Sequence, residues 1–348
     1  MAHTEEMYMQ RCLQLAACGA REVAPNPMVG AVLVKNGKVI GEGFHRRYGE
    51  PHAEPNAIAS VQDEASLREC TLYVNLEPCS HYGKTPPCAE LIIKKGIPRV
   101  VVGMLDPNPM VAGRGVTMLR NAGVDVVVGV LEHECRELNK RFICYHEQHR
   151  PYIILKWAQS ADGYIDRNRT DRSEPVAVLS SSFTKQLVHK MRAENMAILV
   201  GTRTAMLDNP GLRTTRWSGN NPVRIVLDRT GKLPSDSKLF DGKARTIVFT
   251  EKQDYGHYEN TDICCVDFAH QLWEQIMSEL YQQKLHSIII EGGSMILNDL
   301  LTKNLWDEIQ VETSPKCLGS GVKAPLFCAS ITKEECYDGH ILRHYIHA

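Results

Sequence analysis

Nothing in the 348 residues looks like a membrane span, because no apolar run approaches the roughly 18 residues that cross a bilayer. The start, Met1-Ala2-His3-Thr4-Glu5-Glu6, is acidic and lacks the basic and apolar regions of a secretory signal. Excess charge is absent too: 40 Lys and Arg face 41 Asp and Glu, for a net charge of -1. That balance leaves no electrostatic footprint for nucleic acid or an anionic membrane. Internal repeats and low-complexity tracts are also missing. The expectation is a cytoplasmic protein with neither a nucleic-acid nor a membrane partner. Its 12 cysteines then read as thiols or metal ligands and not as a disulfide framework. Cys12, Cys18 and the Cys264-Cys265 pair lie in apolar stretches and are expected to be small buried hydrophobes.

What is present is enough chain for two cores. A length of 348 residues exceeds one ordinary domain, and a hydrophobic fraction of 43% is that of a globular protein. Helical spacing of Met9, Cys12, Leu13 and Ala16 predicts a helix over 5–20. Val29 to Val34 predicts a strand, and Asn36-Gly37 a hairpin turn into Val39-Ile40. Helices from about Ala53, from about Ala89 and near 115–121 then alternate with strands at 71–76, 99–103 and 124–128. That alternation is an α/β layer pattern. A charged helix over 131–149 runs up to Pro151, which cannot continue it, so one domain is placed at 1–149 and the next at 150–348. The second half alternates again. Strands are expected at 152–156, 196–200, 223–228, 245–250, 287–291 and 306–312, and helices at 182–194, 269–283 and 294–302.

The strongest chemical signal is His52-Ala53-Glu54, followed by Glu77-Pro78-Cys79 and Pro87-Cys88. One imidazole and two thiolates make a donor set that suits zinc, and three protein ligands leave a fourth position open for catalysis. A water held there loses a proton near neutral pH, and Glu54 is placed to take it. His-x-Glu with a later Pro-Cys and a second Cys is the signature of zinc deaminases. A structural zinc site would need a fourth ligand, for which His45 and His81 are the candidates. The two cysteines are separated by eight residues, where nucleoside deaminases have two. The intervening stretch Ser80 to Pro87 is rich in hydrogen-bond donors.

With that spacing, the motif resembles the deaminase half of the RibD family of bifunctional riboflavin-biosynthesis proteins. Ala24-Pro25-Asn26-Pro27-Met28-Val29-Gly30, Gly41-Glu42-Gly43-Phe44-His45 and Asp106-Pro107-Asn108-Pro109 extend the match. The resemblance implies a cytidine-deaminase-like three-layer domain followed by a dihydrofolate-reductase-like domain. It implies deamination of a diaminopyrimidinone carrying a ribosylamino 5′-phosphate, with Glu54 as the proton carrier. NADPH-dependent reduction of the ribosyl group to ribityl would follow. By resemblance Asn26, His45, His81, Lys84, Thr85, Asp106 and Asn108 line the deaminase pocket. Taken singly, Lys84 reads as an ordinary solvated lysine and Asp-Pro-Asn-Pro as a turn.

The second half resembles the reductase of the same family in three places. These are Lys156-Trp157-Ala158-Gln159-Ser160-Ala161-Asp162-Gly163, the run from Arg192 through Gly201 to Leu212, and Ile288 to Ser294. Carried over, Arg192, Leu212, Arg216 and Glu291 meet the ribosyl substrate. Ser160, Asp162, Gly201, Thr204, Asp208, Gly292, Gly293 and Ser294 meet the cofactor. A Gly-Gly after a strand suits a dinucleotide phosphate, though it is also what a tight turn uses. Three positions depart from the family pattern: Ala161 stands for a leucine, Asn209 for a second aspartate, and 173–179 lacks the usual Ser and Trp. Gly41-Glu42-Gly43 is no dinucleotide fingerprint, because Arg46 fills the third glycine position. A homodimer or larger homo-oligomer is expected. Two alternatives remain: a nucleoside or tRNA deaminase with an accessory domain, and a zinc-stabilised binding protein.

Overall fold

The computed structural model describes residues 2–20, 22–82, 86–108 and 111–347. The chain divides into two compact units, Met1–His149 and Arg150–Ala348. Among the described residues, no helix is long and apolar enough to cross a membrane.

The first unit is a three-layer sandwich. Its strands are β1 (Gly30–Lys35), β2 (Lys38–Phe44), β3 (Thr71–Leu76), β4 (Arg99–Met104) and β5 (Asp125–Val128), arranged β2-β1-β3-β4-β5. The β1 strand is antiparallel to β2 and β3, while β3, β4 and β5 run parallel. Successive side chains face opposite ways, which splits the core in two. Leu72, Val74, Val100 and Val102 pack on α2 (Ala53–Ala59), α3 (Cys88–Lys95) and α4 (Arg114–Asn121). Tyr73, Val101 and Met104 pack on α1 (Ala2–Ala17), α5 (Glu132–Leu138) and α6 (Lys140–Gln148).

The helix expected over 131–149 is therefore two helices. They break at Asn139, whose buried amide side chain accepts from the Met28 N–H (2.8 Å) and donates to the Met28 carbonyl (2.9 Å). The cysteine expectation also needs correction. Cys12 is buried, but Cys18 and Cys265 are exposed and Cys264 only half-buried. Cys18 lies past the end of α1, and the pair sits on β11 (Thr261–Cys265), the last strand at one edge of its sheet.

The second unit is built on a nine-stranded sheet ordered β11-β10-β9-β8-β12-β6-β13-β16-β15. Its strands are β6 (Tyr152–Gln159), β8 (Ala197–Gly201), β9 (Val223–Leu227), β10 (Thr246–Thr250), β11, β12 (Ser287–Gly292), β13 (Glu308–Thr313), β15 (Ile331–Tyr337) and β16 (His340–Ile346). All pairings are parallel except β13 with β16 and β15 with β16. A short pair, β7 (Tyr164–Asp166) and β14 (Val322–Lys323), lies apart from the sheet. The helices are α7 (Ser182–Ala193), α8 (Thr202–Asp208), α9 (Leu272–Gln282) and α10 (Ser294–Thr302). Leu199, Ile225, Ile288 and Ile290 pack on α9 and α10, while Ile198, Val200, Val226 and Ile289 fill the opposite face.

Candidate functional site

In the first unit, three elements deliver one donor set. His52 is the N-cap of α2, Cys79 follows the end of β3, and Cys88 is the first residue of α3. His52 Nδ1 lies 3.6 Å from Cys79 Sγ and 3.5 Å from Cys88 Sγ. Zinc bonds of about 2.3 Å to sulfur and about 2.0 Å to nitrogen, opened at the tetrahedral angle, separate S from N by about 3.5 Å. The donors therefore fit the ion without rearrangement. The Cys88 N–H donates to Cys79 Sγ at 3.2 Å, so the start of α3 faces that sulfur. The Cys79 thiol is held well below its usual range, first by the hydrogen bond from the Cys88 thiol and then by His52. Helix starts and neighbouring donors favour a thiolate, the form that binds metal.

Neither histidine candidate completes a fourth ligand. His45 Nε2 accepts from Asn26 Nδ2 at 3.0 Å, and His45 Nδ1 donates to the Pro51 carbonyl at 3.1 Å. Both ring nitrogens are thus used in a neutral ring, and burial lowers its pKa accordingly. His45 instead packs its ring edge-on to His52, with centroids 5.4 Å apart. His81 is exposed, and among the described residues the only metal-ligand group is His52, Cys79 and Cys88. Three protein donors with an open position are the catalytic arrangement.

Glu54 sits in the first turn of α2, buried, with Oε2 lacking a partner among the described residues. Burial, with the Cys79 charge second, pushes its carboxyl up to about 7. Asp106 and Asn108 stand on the loop after β4, where the Asp106 carboxylate accepts the Asn108 N–H at 2.8 Å. Burial raises the Asp106 pKa, the charge of Glu77 adds to the rise, and His81 opposes it. Lys84 and Thr85 lie outside the described residues.

In the second unit, Arg192 on α7 and Glu291 at the end of β12 form an ion pair at 2.8 Å. Among the described residues, Arg192 Nε and Glu291 Oε1 are buried without partners, a polar demand that a ligand can meet. Against its burial, Arg192 first and then Lys156 and His189 hold the Glu291 pKa below its usual value. Leu212 is 3% exposed and belongs to the core cluster, whereas Arg216 is exposed. Gly292 and Gly293 face Thr204: a Cβ on Gly292 would lie 3.2 Å from Thr204 Oγ1, and one on Gly293 3.6 Å. Gly293 has φ +58 and is the N-cap of α10, so bare N–H groups at a helix start lie beside Thr204 and lead into Ser294. This is a cradle suited to a dinucleotide phosphate. Gly201, at the start of α8, is walled by Ile296.

The remaining three positions already have partners within the protein. Ser160 is fully buried, donates to Asp162 at 2.6 Å and accepts the Tyr164 N–H at 2.9 Å. Asp162 accepts the N–H groups of Leu318 (3.0 Å) and Gly319 (2.7 Å) and is held at about 2 by these bonds, with Ser160 the largest cause. Asp208 pairs with the buried guanidinium of Arg169, which also holds Asp166 at 2.6 Å. Asn209 adopts φ 42 at the end of α8, a conformation Asn tolerates, and its Oδ1 accepts the Lys238 N–H at 2.8 Å. Arg169 and His189 stand outside every motif of the sequence, and Glu77 belongs to one only as the neighbour of Pro78-Cys79.

The chain is similar to known proteins over nearly its whole length. Residues 151–335 match the model of the RibD C-terminal domain. Residues 2–104 match that of the cytidine and deoxycytidylate deaminase zinc-binding region. The riboflavin biosynthesis protein RibD of Aquifex aeolicus is 40% identical over 91% of this chain and 89% of its own. That of Escherichia coli is 36% identical over 92% and 90%. A solved diaminohydroxyphosphoribosylaminopyrimidine deaminase/5-amino-6-(5-phosphoribosylamino)uracil reductase of Thermotoga maritima superposes with a TM-score of 0.90, at 38% identity and 99% of each chain. Acinetobacter baumannii RibD superposes with a TM-score of 0.89, at 30% identity and 99% of each chain.

Proposed function

The chain belongs to the RibD family of bifunctional riboflavin-biosynthesis enzymes, and on that premise we propose which of its residues carry each reaction. It is a deaminase and a reductase, with Zn²⁺ and NADPH as cofactors. It deaminates 2,5-diamino-6-ribosylamino-4(3H)-pyrimidinone 5′-phosphate and then reduces the ribosyl group to ribityl. The alternative of a nucleoside or tRNA deaminase with an accessory domain is not favoured.

Deamination is assigned to residues 1–149 and reduction to 150–348. The observation that carries the first assignment is the three-donor group with Glu54 beside it. His52, Cys79 and Cys88 would hold zinc, which supplies a Lewis acid that lowers the pKa of a bound water. Glu54 carries the proton: its buried carboxyl, held near neutral pH and free at Oε2, takes it from the water and gives it to the departing amine. Asn26, fixed through His45, and Asp106 with Asn108 offer polar groups to the pyrimidine edge. His81, Lys84 and Thr85 complete that pocket by family resemblance.

For reduction, the Gly292-Gly293 turn, Thr204 and Ser294 receive the NADPH phosphates, with Gly201 alongside. Arg192 and Glu291 hold the ribosyl phosphate chain, joined by Arg216. The partnered groups Ser160, Asp162 and Asp208 shape this site through the loops they tie, and Leu212 does so from the core. The protein acts in the cytoplasm on a small-molecule substrate, as a homodimer or larger homo-oligomer.

Gly292→Val tests the division of labour. The branched side chain must displace Thr204, so the KM for NADPH is expected to rise at least about tenfold, the scale of overpacking a close contact. Steady-state assays of each reaction check it, with deamination expected at the wild-type rate. An equal loss of both activities would contradict the assignment.

A further inference from the structure

Glu77 has no part in either reaction as assigned above. It follows β3 and directly precedes Pro78 and Cys79. Its side chain is 4% exposed, and the carboxylate accepts three backbone N–H groups from another stretch of chain. Oε2 accepts from Asp106 at 3.1 Å and Gly113 at 2.9 Å, and Oε1 accepts from Val116 at 3.1 Å. The Glu77 N–H in turn donates to the Met104 carbonyl at 2.9 Å.

These acceptors answer a specific need. The first N–H groups of a helix have no partner inside it. The α4 helix starts after Gly113, which has no side chain to cap them. Glu77 supplies the cap from the residue after β3, and the positive end of the helix favours a negative group there. The approach is close: a Cβ on Gly115 would sit 2.0 Å from the Pro78 carbonyl oxygen. Thus α4 rests directly on the peptide that leads into Cys79.

The same carboxylate holds both ends of the loop that carries Asp106 and Asn108. From Asp106 the link continues through its side chain to the Asn108 N–H. The Asn108 carbonyl then accepts from Val111 (2.8 Å) and Ala112 (2.9 Å). One buried group therefore sets the register between a candidate zinc ligand and a candidate wall of the pyrimidine pocket.

We propose that Glu77 is a positioning residue that fixes the Asp106–Asn108 wall relative to Cys79 and thereby sets the affinity of the deaminase for its substrate. This rests on the reading that Asp106 and Asn108 face the pyrimidine. Glu77→Gln keeps the volume but turns one acceptor into a donor, so at least one of the three N–H groups loses its partner. Leaving a buried group unpaired is expected to raise the deaminase KM roughly tenfold or more. The kcat should stay within about threefold, because the reacting groups are untouched. Zinc content and reductase turnover in the same sample should equal the wild type, and deuterium uptake in peptides spanning 104–118 should accelerate. Glu77→Asp keeps the charge but withdraws the oxygens by one methylene. It should show the same split at smaller amplitude, and it carries the test if the glutamine variant does not fold.

An unchanged KM, a fall in kcat at constant KM, or zinc loss in step with activity would overturn the proposal. A wild-type protein that does not deaminate the pyrimidine at all would instead overturn the functional reading beneath it.

Discussion

Glu54→Gln is expected to keep zinc bound while deamination falls by roughly 10²- to 10⁴-fold, the contribution of a placed proton carrier. The amide has nearly the volume of the carboxyl, so the packing of α2 should survive. What disappears is the ability to accept and return a proton at Oε2, a buried oxygen without a partner among the described residues. Burial holds this carboxyl near 7, where gaining and losing a proton are both easy. The reductase should be untouched, because its candidate residues all lie in the other unit. Metal analysis together with single-turnover deamination checks the prediction. Normal deamination by this variant would remove Glu54 from the mechanism.

Cys88→Ser separates the metal from the scaffold. The Cys88 backbone starts α3 and donates to Cys79 Sγ, and both features depend on the main chain, so the fold around the site should persist. A serine hydroxyl does not ionise near neutral pH and is a poor partner for zinc. The loss in zinc affinity should exceed the roughly 10- to 100-fold that removal of an outer partner costs. Deamination should vanish with the metal, while reduction of the already deaminated substrate proceeds. Full zinc occupancy in the variant would show that Cys88 is no ligand.

Much of the candidate site was legible because its chemistry is local in sequence. His52-Ala53-Glu54 puts a ligand and a proton carrier on one helix start, and Pro78-Cys79 and Cys88 lie close together in sequence. The strand at 71–76 was legible as a short apolar run, but which of its faces meets which helices was not, because Leu72, Tyr73 and Val74 are all apolar and buried on both sides. What escaped depends on distant partners. Asn139 breaks a helix because it serves the backbone of Met28, 111 residues away, and no local pattern encodes that. Arg169 is buried through Asp166 and Asp208, yet in sequence it is one arginine among charged neighbours. The β15–β16 hairpin was missed for another reason. Thr332-Lys333-Glu334-Glu335 is an exposed edge without apolar alternation, although Asp338-Gly339 carried a hairpin turn signal. Glu77 was readable as a neighbour of Cys79, but its role needs α4 in place.

One chain performing two separable reactions is the central claim. Its most direct test is mass spectrometry of the product formed from the diaminopyrimidinone ribosylamino phosphate, with and without NADPH. The expected result without NADPH is a product in which NH has been replaced by O. With NADPH, the same product should gain two hydrogens. A substrate that keeps its mass in both reactions while zinc is bound would contradict the account.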